Sequence, residues 1–101
     1  MPLPTDRVVA SISKSAIKRN LEFFSENTDG KKVFAVLKAA CYGHGESLIP
    51  YASSLSDGVA VATIEEGISV RRYNRDKPVL ILGFVPIDLI PSAVENDLSI
   101  T

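Results

Sequence analysis

Short apolar runs alternate along the chain with segments in which apolar residues recur every three or four positions. The runs are typical of strands, and they lie at residues 8–12, 32–37, 58–62, 78–84 and 98–101. Helical spacing follows the first four of them, over residues 13–26, about 46–55, from Thr63 onward and 86–94. This order predicts an α/β fold in which helices pack on a parallel sheet.

Capping residues mark where several of these helices begin. Ser13 is placed to cap the first helix, and Thr63 with Glu66 three positions later forms a capping box. Pro50 is tolerated only in a first turn, so we expect the second helix to begin near Ser47, with Pro50 still in that turn. Glu65 and Glu66 lie where carboxylates interact well with the helix dipole, so we assign them a structural role.

Two architectures share this alternation: an open, doubly wound sheet and a closed eight-stranded barrel. The pattern does not choose between them. It divides the chain into an N-terminal strand, 1–12, and a series of βα units, 13–101. The last strand stops a few residues after it starts, and four βα units do not close a barrel. We therefore expect either a fragment of a longer protein or sheet edges that a partner covers.

Composition and charge narrow the classes of function. The chain has 11 Lys and Arg, 12 Asp and Glu, a net charge of -1 and no basic block, so nucleic-acid binding is not expected. No apolar stretch reaches the length of a membrane span, and residues 1–6 lack a signal pattern. The single cysteine, Cys41, cannot form an internal disulfide. These features predict a cytoplasmic protein.

Lys38 is the first candidate for chemistry. It follows the apolar run 32–37, which fits a strand buried on both faces, and it precedes a turn that contains glycine. Carboxyl ends of parallel strands face the ligand site in α/β folds, and an amine beside apolar neighbours there is partly desolvated. Desolvation favours the neutral amine, which can form a Schiff base with an aldehyde. The alternative is a lysine whose charge lies in water, and spacing alone favours that alternative.

The turn after Lys38 holds three further reactive side chains. The Tyr42 hydroxyl could bind a phosphate or carboxylate near Lys38, although its position alone favours a ring that packs on the rim of a barrel. His44 lies between Gly43 and Gly45, which suits a tight turn. One histidine and one cysteine do not make a metal site, and Cys41 has only His44 nearby as a base. The turn matches neither a P-loop nor a dinucleotide fingerprint.

Residues 33–45 read Val-Phe-Ala-Val-Leu-Lys-Ala-Ala-Cys-Tyr-Gly-His-Gly. This segment resembles the cofactor motif of the alanine racemase family, in which a strand A-V-V-K is followed by A-N-A-Y-G-H-G. The resemblance extends over most of the chain, through residues 10–21, 60–67 and 78–83. Ala40 stands where the family usually has asparagine, and Cys41 where a small residue is usual. These departures concern site geometry and substrate preference and leave the lysine in place.

The resemblance implies a fold and a set of roles. This chain would form the N-terminal portion of a (β/α)₈ TIM barrel, which a mostly β domain follows in a homodimer. Lys38 would hold pyridoxal phosphate as a Schiff base, Tyr42 would contact its phosphate, and Leu82 would lie near its ring, with no metal involved. The implied reaction interconverts L- and D-alanine and supplies D-alanine for peptidoglycan.

In the family, Lys38 corresponds to one of two bases. The second is a tyrosine of the other subunit, and the arginine opposite the ring nitrogen also comes later. We therefore expect the 101-residue chain alone to be inactive. Two alternatives stay open: another pyridoxal-phosphate barrel, such as a serine, lysine or broad-specificity racemase or a non-catalytic protein that handles the cofactor, and an inactive truncated copy. Gly-His-Gly after the tyrosine favours the racemase branch.

Overall fold

Four strands and the helices between them make up the part of the chain that the computed structural model describes, which is Thr5 and residues 7–101. The helices are α1 (Lys14–Glu26), α2 (Ile49–Leu55), α3 (Ile64–Arg71) and α4 (Ile90–Glu95). The strands are β1 (Phe34–Val36), β2 (Gly58–Val61), β3 (Val79–Ile81) and β4 (Ser99–Ile100). Short 3₁₀ turns, Glu46–Leu48 and Ile87–Leu89, lead into α2 and α4. The predicted alternation of strand and helix is confirmed.

The sheet is wholly parallel, and its strands lie in the order β1-β2-β3-β4. The order in space is therefore the order along the chain. An open, doubly wound sheet reverses its strand order at a switch point, whereas a barrel adds each strand beside the previous one. The observed order through four strands favours the barrel.

The two faces of the sheet differ in burial. Val59, Val61, Val79 and Ile81 face the helices and are completely buried. The alternate positions belong to the other face, where Phe34 and Val36 stay more than a third exposed. That second face is open in the described structure, and it corresponds to the interior of a barrel.

The predicted first-turn residues of α1 and α2 are confirmed. The Ser13 hydroxyl accepts a hydrogen bond from the Ala16 amide at 3.2 Å and caps α1. Pro50 lies in the first turn of α2, as its missing amide requires. The prediction of a final strand after residue 97 is confirmed as β4.

The predicted strand at residues 8–12 is wrong. Residues 8–13 have no regular secondary structure, and Val8 and Val9 are exposed. A strand forms only where a neighbour takes up its amides and carbonyls, and in the described structure β1 pairs only with β2. Residues 1–4 and 6 lie outside the described part, so the division of the chain at residue 12 stays a prediction.

The expectation that residues 32–37 form a strand buried on both faces is also wrong. Strand β1 covers only residues 34–36 and lies at the edge of the described sheet, which exposes Phe34 and Val36. Strand β3 likewise ends at Ile81, earlier than predicted, and Leu82 and Phe84 beyond it are exposed. Apolar runs therefore mark these strands but overestimate their length and burial.

Gly83 lies against the backbone of the neighbouring strand end. A methyl group at this position would collide with the carbonyl oxygen of Ala62, a backbone atom that cannot rotate aside. We expect Gly83→Ala to lower the free energy of unfolding by about 1–3 kcal/mol, measured by urea denaturation.

Gly58→Ala is the matched control. Its new methyl would meet the far end of the Phe34 side chain, which is part-exposed and can turn away. We expect a smaller loss of stability than at Gly83. Equal stability of Gly83→Ala and the wild type would show that the contact with Ala62 is not tight.

Candidate active site

The carboxyl ends of β1, β2 and β3 meet at one edge of the sheet. Val36 pairs with Ala60, and Ala60 pairs with Leu80. Two positions further along these strands lie Lys38, Ala62 and Leu82. Two of the predicted site residues, Lys38 and Leu82, therefore lie at the same level of the same edge, on strands separated by β2.

The backbone after Lys38 forms a left-handed turn, Lys38–Tyr42. All four residues from Ala39 to Tyr42 have φ between 51° and 57°, although none is glycine. The Gly43 amide donates to the Ala39 and Ala40 carbonyls at 3.0 and 3.2 Å, and the Gly45 amide donates to Ala40 at 2.8 Å. Such a conformation costs non-glycine residues about 1–2 kcal/mol each. Contacts around the turn must therefore hold it.

The turn brings the predicted pair Lys38 and Tyr42 together. The Lys38 ammonium nitrogen lies 5.9 Å from the centroid of the Tyr42 ring. Lys38 is half-buried, and Tyr42 is 59% exposed. The ion pair found within the described residues joins Lys18 to Glu22 and does not involve Lys38. A half-buried amine and an exposed phenol thus share one rim of the open face.

Leu82, the third predicted site residue, is exposed at the same edge of the sheet. It follows β3, its backbone amide donates to the Val61 carbonyl at 2.8 Å, and its side chain is 48% exposed. The exposed Leu82 side chain lies at the same carboxyl edge as Lys38. From the end of β3 it would contact a ligand bound beside Lys38. Its contact with a cofactor ring stays a prediction.

Glu66, for which the sequence predicted only a structural role, contacts the turn that carries Lys38. Its Oε1 accepts from the amides of Ala62 and Thr63 at 2.8 and 3.2 Å, and the Thr63 hydroxyl accepts from the Glu66 amide at 3.2 Å. The predicted capping box is therefore confirmed. Its other oxygen, Oε2, accepts from the Ala39 amide at 2.6 Å, directly after Lys38. The adjacency of β1 and β2 was the signal that could have indicated this contact.

Cys41 points into the apolar core from the same turn. It is 2% exposed, and burial raises the pKa of its thiol above the ordinary value, with smaller contributions from the carboxylates of Glu46 and Glu66. A thiol in this environment stays protonated at neutral pH. Such a thiol is a poor nucleophile at neutral pH, because the nucleophilic form is the thiolate.

The raised pKa of Cys41 predicts a pH dependence of stability. The unfolded chain can ionise this thiol near its ordinary pKa of about 8.5, whereas the folded chain resists ionisation. Its contribution to stability is therefore full below that pH and is lost as the pH rises through the raised folded value. We expect the wild type to lose more stability than Cys41→Ala between pH 7 and pH 10 in urea denaturation. If the free energy of unfolding fell in parallel with pH for the two proteins, Cys41 would not be the cause of the pH dependence.

The described part of the chain contains neither a group of side chains that could hold a metal ion nor a helix that could cross a membrane. His44 is exposed in the turn, and its amide donates to the Cys41 carbonyl at 3.1 Å. Among residue 5 and residues 7–101, no three His, Cys, Asp or Glu side chains are grouped so that they could hold a metal ion. Within the same residues, every helix is too short or too polar to cross a bilayer.

Comparison with known families gives a match over nearly the whole chain. The family described as "Alanine racemase, N-terminal domain" matches residues 12–101. The alanine racemase of Ligilactobacillus salivarius is 41% identical over 96 residues, which cover 90% of this chain and 25% of the relative. Alanine racemase 2 of Caldanaerobacter subterraneus is 43% identical over 75 residues, or 72% of this chain and 19% of the relative.

Solved structures give the same result for the fold. Alanine racemase from E. faecalis matches with a TM-score of 0.80 and 33% identity, over 88% of this chain and 25% of that one. The enzyme from Acinetobacter baumannii matches with a TM-score of 0.79 and 27% identity, over 88% and 27%. The chain thus spans about a quarter of the length of the proteins it matches. Its sheet corresponds to the N-terminal part of their TIM barrel, which confirms the predicted fold class.

Proposed function

This chain belongs to the alanine racemase family, and on that premise we propose that it supplies the cofactor-holding part of an enzyme that interconverts L- and D-alanine. The observation that carries the proposal is the Lys38 amine, half-buried beside Tyr42 at the carboxyl edge of the sheet. The D-alanine formed would serve peptidoglycan synthesis. The whole enzyme would act in the cytoplasm as a homodimer.

The residues at this edge fit pyridoxal phosphate by their chemistry. An aldehyde cofactor needs a primary amine that is not held in an ion pair. Within the described residues, Lys38 meets that condition. Its nitrogen would bond to the aldehyde carbon, with water as the leaving group. The Tyr42 hydroxyl would donate to the phosphate, and Leu82 would offer apolar surface to the ring.

The chain's own residues would then bind the cofactor and move one proton. When bound, pyridoxal phosphate withdraws electrons from the Cα–H bond of the amino acid, so that a modest base suffices. The Lys38 amine would hold and return the proton at Cα on one face. The acid or base for the opposite face would come from the part of the enzyme that this chain does not span.

A chimaeric enzyme tests the proposal. The chain replaces the matching first quarter of the alanine racemase of Ligilactobacillus salivarius, and pyridoxal phosphate is added. We expect the chimaera to form D-alanine from L-alanine, measured with a coupled D-amino-acid oxidase assay, with the intact relative as the positive control. A chimaera that dimerises and binds the cofactor but forms no D-alanine would overturn the racemase proposal.

A further inference from the structure

The Glu66 carboxylate joins the ends of two neighbouring strands beside the candidate site, and we propose that it is a positioning residue for Lys38. Its Oε2 accepts from the Ala39 amide at 2.6 Å, and its Oε1 accepts from the Ala62 and Thr63 amides at 2.8 and 3.2 Å. One side chain thereby links the end of β2 to the peptide that follows Lys38. The inference rests on the proposed role of Lys38 in holding the cofactor.

The turn that carries Lys38 needs such a contact. Its residues adopt positive φ without glycine or asparagine, the two residue types that tolerate this region best. Ala40, with φ 51° and ψ 48°, has no side-chain amide with which to stabilise the turn. A charge-assisted hydrogen bond to the Ala39 amide fixes the peptide plane next to Lys38, and such bonds are stronger than neutral ones.

Capping of α3 accounts for only one of the two carboxylate oxygens of Glu66. A capping box requires one acceptor oxygen at the third helical position, and Oε1 fills that need for α3. The second oxygen faces away from the cap, toward a residue 27 positions earlier in the chain. The charge of Glu66 also reaches the interior of the turn, where it adds to the rise in the pKa of the Cys41 thiol.

Glutamine at this position separates the two roles. The substituted side chain would have one carbonyl oxygen, which can keep the cap, and one NH₂ group, which cannot accept from the Ala39 amide. The oxygen should stay at the cap because two amides donate to it there and only one donates on the other side. Glu66→Gln therefore removes the contact with the Lys38 turn and leaves α3 capped.

The experiment uses the 101-residue chain with added pyridoxal phosphate. For Glu66→Gln we expect hydrogen exchange of the Ala39 amide to become about tenfold faster or more, as the loss of a bond to a charged group implies. We also expect a several-fold lower yield of borohydride-fixed label on Lys38 and a changed pH profile of labelling. Glu65→Gln, which removes a charge from the same helical turn, should change neither readout.

Thr63→Ala is the second control because it weakens the cap and spares the contact with Ala39. We expect it to lower the urea midpoint while the yield of label on Lys38 stays at the wild-type level. The proposal is overturned if Glu66→Gln leaves Ala39 exchange and Lys38 labelling unchanged, or if Thr63→Ala lowers labelling equally. Absence of label from Lys38 in the wild type would instead refute the cofactor role, and Ala39 exchange would still report on the contact itself.

Discussion

Replacing Lys38 with alanine is expected to lower racemisation by the chimaera at least about 1,000-fold, because one side chain provides both the covalent attachment and the base on one face. The measurement is the initial rate of D-alanine formation at saturating cofactor. Lys32→Ala is the matched control, since Lys32 is exposed and precedes β1, at the opposite end of the strand from Lys38. Its rate should stay close to that of the unmodified chimaera.

The Lys38→Arg variant tests whether the site requires a reactive amine or only a positive charge. Arginine keeps the charge but stays protonated at any working pH, so it cannot react with an aldehyde. We expect its rate to fall as far as that of the alanine variant. A chimaera that keeps a tenth or more of its rate with arginine at position 38 would show that the site needs only a cation.

Replacing Arg71 with methionine is expected to lower the free energy of unfolding by about 3 kcal/mol or more, a large part of the stability of a domain of this size. Arg71 is buried, and its guanidinium donates only to backbone carbonyls. Those acceptors are Asn96 at 2.8 Å, Asp97 and Lys77 at 2.7 Å, and Asn74 at 3.2 Å. The side chain thereby connects the end of α3 to the loops that lead into β3 and β4.

The loss would come from carbonyls left without a donor as much as from the lost bonds themselves. Urea denaturation followed by circular dichroism measures it. Arg72→Met is the matched control. The Arg72 side chain is next to Arg71 in the sequence but is exposed, so its replacement should lower the free energy of unfolding only slightly. Similar unfolding curves for the two variants would contradict the role of Arg71 as the connection between these loops.

The parts of the fold that follow local rules were predictable from sequence. Helix starts at Ser13 and Thr63 depend on side chains within three residues, and both are observed. Strands β2 and β3 follow from short apolar runs whose helix-facing members are fully buried. The parallel arrangement follows in turn from the alternation of strands and helices.

Features that depend on distant residues were not predictable. The apolar run at 8–12 looks like a strand, yet it has no neighbour to pair with in the described structure. The run at 32–37 looks doubly buried, but β1 lies at an edge. The left-handed turn from Ala39 to Tyr42 contains no residue that favours positive φ, so propensity gave no sign of it.

In the candidate site, too, the features that depend on distant residues were not predictable from the sequence. Spacing alone favoured a solvated Lys38, and only the resemblance of residues 33–45 to a family motif pointed to chemistry. The approach of Tyr42 to Lys38 depends on the unforeseen left-handed turn. The contact between Glu66 and Ala39 spans 27 positions and requires knowing that β1 and β2 are neighbours.

A single labelling measurement decides whether Lys38 is the residue that takes up the cofactor. The 101-residue chain is incubated with substoichiometric pyridoxal phosphate, reduced with borohydride, digested and mapped by mass spectrometry. Selective reaction at the amine beside Tyr42 predicts that the label is concentrated on the peptide containing Lys38. Label spread evenly over the other lysines, or absent from Lys38 while they react, would contradict it.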